Sequence, residues 1–287
     1  MANLKEIRNR ISSIGSTMQI TSAMKMVSAA KLKKATDTIT AMRPYSEKLT
    51  EIIQNVSSTL EGENSGVYSQ VREVKNVLFI TVTSNRGLCG GFNANIIKQI
   101  NVLANSEFKG ANIDLLTIGK KGFDILKKSF TVVDNQSSLY DHFDFDHTAV
   151  IAEHVMEAFV NEKYDSIQIV YNQFKNAATQ IVVTEQFLPL LPIETEASAA
   201  ASDYIYEPSK EEIIETLIPL SLKTQLFKAI ADSVASEHGA RMTAMHKATD
   251  NAQELRNELK LSYNKARQAA ITNEILEIVG GAEALNN

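Results

Sequence analysis

Two heptad seams at opposite ends of the 287-residue chain constrain its fold more than any other feature. At the amino end, Leu4, Ile11, Met18, Lys25, Leu32, Ile39, Ile53 and Leu60 alternate with Ile7, Ile14, Thr21, Ser28, Ala35, Met42, Leu49 and Val56. This 4,3 spacing keeps one stripe turned towards a partner helix over about eight heptads. If helical, residues 3 to 60 reach about 85 Å at 1.5 Å per residue. Pro44 removes a backbone donor and crowds the preceding turn, so a kink or restart is expected there, and Glu61 to Gly66 end the helix.

The only matching partner lies at the carboxy end. There a stripe runs Met245, Ala248, Ala252, Leu255, Leu259, Ser262, Ala266, Ala269 and Leu276, on a helix expected from Ser221 to Val279, roughly 90 Å long. Small residues dominate it. With Gly15 and Gly239, each costing about 1 kcal/mol relative to Ala in a helix, they suggest close backbone approach in the seam. The amino-terminal seam is weakest at Thr21, Lys25 and Ser28, with Met24 and Met26 alongside. Polar seam positions can set register, or the helix can face a third protein there; both readings stand.

Between the seams, strand and helix alternate. Val77 to Val82 reads as a buried strand, followed by the turn Asn85 to Gly91 and a helix from about Asn93. Ile113 to Ile118, Thr131 to Val133, Ser166 to Phe174 and Gln180 to Phe187 read as further strands, with a helix after Gly119 and another near His147 to Lys163. Pro189, Pro192 and the Ser- and Ala-rich stretch Glu194 to Asp203 read as a mobile loop. The expected fold class is α/β: a long antiparallel coiled coil of N- and C-terminal helices, with a Rossmann-like α/β domain of the doubly wound type inserted between them. The expected boundaries are 1–60 for the N-terminal coiled-coil helix, 75–195 for the α/β domain and 208–287 for the C-terminal coiled-coil helix.

Composition narrows the functional classes. A hydrophobic content of 44% with 22% charge supports a buried core. Cys89 is the single cysteine and no charged-then-apolar leader precedes Leu4, so a reducing, cytoplasmic compartment is expected, without disulfides. The absence of an apolar run of about 18 residues argues against direct membrane insertion. Residues 1–45 hold eight Lys or Arg against Glu6 and Asp37, a net of +6, which leaves 21 basic and 32 acidic residues elsewhere, or −11. Acidic partners are therefore drawn to the amino-terminal helix. Nucleic acid is disfavoured: Tyr45 is the only aromatic in that stretch, no nucleic-acid module is recognisable, and such charges more often solvate a helix face.

No residue set makes a convincing active site. Gly87 to Gly91 lies where an α/β fold holds phosphate, but it lacks G-x-G-x-x-G spacing, and Gly119-Lys120-Lys121-Gly122 lacks the Walker loop and its hydroxyl. A tight turn is the favoured reading over nucleotide binding. Asp141 to His147 gathers metal-capable groups, yet Asp146 sits where a helix N-cap belongs, and capping is favoured over a metal site. His238 and His246, eight residues apart, read as surface residues, and Cys89 has no redox partner. No catalytic, cofactor-binding or metal-ligating residue is assigned.

Four patches carry a resemblance over essentially the whole chain: Ile20 to Lys31, Ser84 to Asn93, Ser236 to Met245, and Ile271 to Ala284 with its I-T-x-E-x-x-E-x-x-x-G-A pattern. In these the chain resembles the gamma-subunit family of F-type ATP synthases, of bacterial type, without the chloroplast cysteine-pair insertion or a mitochondrial presequence. Gln19 and Ser22 depart from lysines common among relatives.

The resemblance implies a non-catalytic central-stalk rotor. Its terminal helices would turn inside a ring of three alpha and three beta subunits, with the α/β body bound to the epsilon subunit and the membrane c-ring. It would couple ion flow to ATP synthesis or hydrolysis at the beta subunits, as a peripheral membrane protein on the cytoplasmic face of the bacterial cell membrane, with no cofactor of its own. It also implies rotor-to-stator contacts at Met24, Lys25, Arg241, Gln268, Thr272 and Glu274, a bearing tip at Ile275, Leu276, Ile278 and Val279, and foot contacts at Tyr204 and Glu207.

Overall fold

The computed structural model describes residues 4–58, 67–190 and 210–285. Its elements are α1 (Leu4–Ser58), β1 (Asn76–Val82), α2 (Phe92–Asn105), β2 (Asn112–Ile118), α3 (Lys120–Leu126), β3 (Thr131–Asn135), α4 (Phe145–Val160), β4 (Ser166–Phe174), β5 (Gln180–Leu188) and α5 (Lys210–Leu285). The chain divides into two compact units: Met1–Ser28 with Met242–Asn287, and Ala29–Arg241.

In the larger unit the strands form one five-stranded sheet in the order β3-β2-β1-β4-β5, parallel except for β5, which pairs antiparallel with β4. Period-two alternation sends side chains of each strand to opposite faces. Leu78, Ile80 and Val82 of β1, with Ile167, Ile169 and Tyr171 of β4, meet Ile151, Val155 and Phe159 of α4 and Leu222, Leu226 and Ile230 of α5. Val77, Phe79, Leu115 and Val170 face the other way, onto Ile96, Ile100 and Leu103 of α2 and Leu126 of α3. The 4,3 spacing of Ile96, Ile100 and Leu103 is why that segment is helical and which face it buries. Ile96 and Ile100 are fully buried, so truncating either to Ala costs about 2–5 kcal/mol. Each face is covered by helices, as a doubly wound sheet requires.

The α4 start corrects one sequence expectation. Asp144, rather than Asp146, is the N-cap: its Oδ1 accepts from the His147 amide at 2.9 Å, and the helix spans Phe145–Val160 instead of beginning near His147. That amide bond, then the His147 ring, holds the Asp144 carboxyl below its ordinary pKa.

Both long helices run through a proline. Helix α1 continues through Pro44 without restarting, and α5 runs from Lys210, close to the expected boundary at 208 and eleven residues before Ser221, through Pro219. Pro44 and Thr40 are exposed, which leaves the carbonyl that loses its donor open to water and lowers the cost of the missing bond. Residues 61–66 and 194–203, read as a helix stop and a loop, lie outside the described residues.

In the smaller unit α1 and α5 run antiparallel, with Arg8 Nη2 donating to the Tyr263 hydroxyl at 2.8 Å and Thr249 Oγ1 donating to Thr21 Oγ1 at 2.8 Å. The α1 seam falls where the heptads put it, with Ile7, Thr21 and Ser28 buried and Leu4, Ile11, Ile14, Met18 and Lys25 half-buried. On α5 one of the two rows is shifted by a residue. Met245, Ala252, Leu259 and Ala266 face inward as expected, but the second row is Thr249, Arg256, Tyr263 and Ala270, while Leu255, Ser262 and Ala269 are exposed. Nor is the seam tight at Gly15, where an added Cβ would approach only Arg256 Nε, at 4.0 Å.

Candidate interaction sites

The polar break in the α1 seam is satisfied from within. Thr21 donates to the Met18 carbonyl and accepts from Thr249, while Ser28 Oγ donates to the Met24 carbonyl at 2.8 Å. Thr21 and Thr249 therefore act as a register pair, the first of the two readings left open above. Met24 and Lys25 are half-buried, whereas Ile20, Met26 and Val27 on the same stretch are exposed. Together they form an apolar, lysine-bearing surface.

Gln268, Thr272 and Glu274 are all exposed, and the Thr272 hydroxyl is turned back onto the Gln268 carbonyl at 2.9 Å. Antiparallel pairing of Arg8 with Tyr263 places Leu4, one turn before Arg8, opposite a turn beyond Tyr263, so α5 from about Gln268 onward runs past the start of α1. On that overhang Ile275, Leu276, Ile278 and Val279 are 54, 61, 72 and 54% exposed. Tyr204 and Glu207 lie outside the described residues.

Arg241, in contrast, is only 8% exposed and is engaged inside the larger unit. Its Nη1 donates to Glu237 Oε1 at 2.7 Å, and its Nη2 donates to the carbonyls of Arg86 at 3.0 Å and Gly87 at 3.3 Å. Burial pushes the Glu237 carboxyl above its ordinary pKa, against the opposing pull of Arg241. His238, expected at the surface, is half-buried, and burial with the nearby Arg241 and Lys31 charges lowers its imidazole to about 4. His246 is exposed, as expected, beside Asp250.

The Gly87 to Gly91 turn is built as a knot. The Asn93 side chain accepts from the Ser84 amide at 2.9 Å and donates to Ser84 Oγ at 2.8 Å and Cys89 Sγ at 3.2 Å. Asn85 donates to the Ser137 carbonyl and accepts from the Lys120 amide. A phosphate loop aims amide N–H groups at an anion. This loop instead offers two carbonyls to a cation, Arg241, and lifts Leu88 to its apex at φ 63° and 64% exposure. Such a backbone conformation is uncommon outside glycine and is held here by the surrounding bonds. The arrangement favours the structural-turn reading over nucleotide binding. Nothing in the spacing of the sequence signals the contact between Arg241 and the loop.

At the other candidate cluster, His147 Nδ1 lies 2.7 Å from Asp144 Oδ1 and its ring stacks on His142, all three exposed. Among the described residues no group of three or more His, Cys, Asp or Glu is arranged to hold a metal ion.

The ATP synthase family model matches residues 3–285. The ATP synthase gamma chain of Flavobacterium johnsoniae is 68% identical over 286 residues, covering 100% of both chains. Among solved structures, a chain from the central stalk and c-ring of the Tetrahymena thermophila mitochondrial ATP synthase superposes with a TM-score of 0.59 at 26% identity, over 80% of this chain and 99% of that one. A chain from the OSCP/F1/c-ring structure of the Euglena gracilis mitochondrial ATP synthase superposes with a TM-score of 0.73 at 23% identity, over 98% of this chain and 94% of that one, and so shares its fold. With an antiparallel pair of terminal helices, a β3-β2-β1-β4-β5 sheet and this full-length likeness, the chain belongs to the ATP synthase gamma chain family.

Proposed function

We propose that the chain is the central-stalk rotor of a bacterial F-type ATP synthase and carries no catalytic site of its own. The observation that carries this reading is the antiparallel pairing of the two chain ends, Thr21 on Thr249 and Arg8 on Tyr263, with an α5 end left exposed beyond it. A paired shaft resists twisting through many small contacts, and an asymmetric shaft inside a ring of alpha and beta subunits makes equivalent nucleotide sites unequal. Rotation driven through the c-ring then becomes a change of affinity at the beta subunits.

In this reading residues 1–60 and 208–287 supply the coiled coil, and the 75–195 domain is the part that binds epsilon and the c-ring. The protein is peripheral, at the cytoplasmic face of the membrane; no helix of the described residues is long and apolar enough to cross it. Met24, Lys25, Gln268, Thr272 and Glu274 contact the stator, supported by the exposure of the last three and of the apolar surface around Lys25. Arg241 contributes through the loop it holds, which presents Leu88. Ile275, Leu276, Ile278 and Val279 form the bearing, where non-directional apolar contacts do not hold one angle. Tyr204 and Glu207 are the foot contacts.

A reversible tether tests the coupling. Cysteines at Lys25 and on a facing beta subunit, oxidised in the assembled complex, are expected to stop ATP turnover, and reduction to restore it. Unchanged turnover in the fully tethered complex refutes the rotor role.

A further inference from the structure

In open α/β sheets, ligands bind in the crevice beyond the carboxyl ends of the strands, where the order of connection reverses. Here the reversal lies between β1 and β4: the chain builds β2 and β3 to one side of β1, then returns to place β4 on the other. The crevice is bounded by the loop after β1, Thr83 to Gly91, and by the β4–β5 turn around Ala177. It is already filled. Arg241 donates to the Arg86 and Gly87 carbonyls of the first loop, and Ala240 packs with Cys89 and Phe92. Asn172, near the end of β4, donates to the Phe92 carbonyl at 3.2 Å. On the second side, a Cβ at Gly239 would lie 3.2 Å from both the Cα and the carbonyl oxygen of Ala177, so the α5 backbone rests almost directly on the turn. Glu237, 8% exposed, completes the set by pairing with Arg241.

We infer that the switch-point crevice is a socket for the chain's own helix: the α5 turn Glu237–Arg241 takes the place a ligand occupies in doubly wound folds. Sheet and α5 are thereby fastened into one torsionally stiff piece. The inference rests on the rotor reading, since a stiff fastening matters only where torque passes from the α/β body into α5. It assigns a purpose to three features without one: a Gly-rich turn that points two carbonyls inward, a glycine in mid-helix, and a buried ion pair. Two loops gripping opposite sides of one helical turn resist rotation about the helix axis better than a single contact does. The grip on one side is directional and charge-assisted, and on the other it is steric.

The test uses the assembled complex in membrane vesicles, with Cys89→Ala as background. Cysteines introduced by Ala177→Cys and Gly239→Cys lie within disulfide reach, given the present approach. If the socket is rigid during rotation, oxidation leaves ATP turnover and ion uptake per ATP within about twofold of the reduced complex. A loss of turnover on oxidation, restored by reduction, shows that the two sides move apart and overturns the inference. The converse variant, Gly239→Leu, drives a wedge between helix and turn. Ion uptake per ATP is expected to fall several-fold while hydrolysis persists, and unchanged uptake overturns the inference as well. Should that variant not assemble, the disulfide alone decides. If the Lys25 tether blocks turnover and the internal disulfide does too, the socket fails and the rotor stands. If the Lys25 tether has no effect, the rotor reading itself fails.

Discussion

Gly119 should be the least replaceable glycine of the α/β body, and its neighbours make the cost divisible into parts. It follows β2 with φ 113°, and a Cβ there would fall 2.0 Å from the Thr83 carbonyl oxygen and 2.5 Å from its carbon. Three costs follow from Gly119→Ala. The backbone conformation is one an L-residue resists, about 1–3 kcal/mol. Displacing Thr83 strains a packed core, again about 1–3 kcal/mol. The Thr83 carbonyl also accepts the buried Tyr140 hydroxyl at 2.7 Å, and stranding that donor adds about 1–3 kcal/mol. Even with partial relief the total is about 3–6 kcal/mol, a large share of the 5–15 kcal/mol typical of a domain. Two comparisons separate the parts. Gly110→Ala carries a similar strain, at φ 95°, but meets nothing within 4 Å, so it should cost only about 1–2 kcal/mol. Gly122→Ala meets only the Thr83 side chain, at 2.6 Å from Oγ1 and 2.9 Å from Cγ2, so Thr83→Ala should remove most of its penalty and little of that at Gly119. Because a chain of two units need not unfold in one step, the readout is amide hydrogen exchange of β1 and β2 in the full-length chain. A Gly119→Ala cost near 1 kcal/mol, or equal rescue of both variants by Thr83→Ala, refutes the reasoning.

Further outcomes follow from the same geometry. Arg241→Ala leaves Glu237 buried without its partner and should destabilise the larger unit by about 3–5 kcal/mol, whereas Arg241→Met combined with Glu237→Gln should recover much of that loss in the same exchange assay. His238 has its pKa lowered from 6.5 to about 4, so the stability it contributes is complete above pH 6.5 and is lost as pH falls towards 4, at up to about 1.4 kcal/mol per pH unit. Glu237, raised, acts in the opposite sense and adds stability as it protonates; a pH series of exchange rates should therefore steepen below 6.5 in the parent and flatten in His238→Gln. Ile275→Ser and Val279→Ser, on exposed positions, should shift chain stability by less than about 0.5 kcal/mol while altering turnover of the assembled enzyme; a large stability loss would show that the overhang packs on its own chain.

The sheet was readable because its strands are apolar or β-branched runs bounded by Gly, Asn and Ser, and the expected limits of β4 coincide with Ser166–Phe174. The inward row of α5 was harder, because its true members include Thr249, Arg256 and Tyr263, whose polar tips disguise apolar stems, while the more hydrophobic Leu255 faces out. Arg8 bonding to Tyr263 shows what selects that row: complementarity with the opposite helix, which hydrophobicity along one strand of sequence does not encode. Pro44 does not restart α1, because local propensity is a weak prior beside tertiary packing. His238 was expected at the surface and Arg241 at a stator contact, and spacing could not reveal how Arg241 is held, because the carbonyls it bonds, those of Arg86 and Gly87, lie about 155 positions away. The exposed residues Gln268, Thr272 and Glu274 carry no intrachain signature of a role, and only the resemblance singled them out.

The α5 overhang has a consequence for how the enzyme is put together. From Ile271 to Ala282 every residue of the helix is exposed, and a single helix of about this extent is marginal in water. Before assembly, this segment should exchange its amides fastest of any helical part of the chain. Enclosure by a ring of partners would then complete its folding as well as its docking, so the stiffness of the rotor's end would be conferred by the very subunits it turns against.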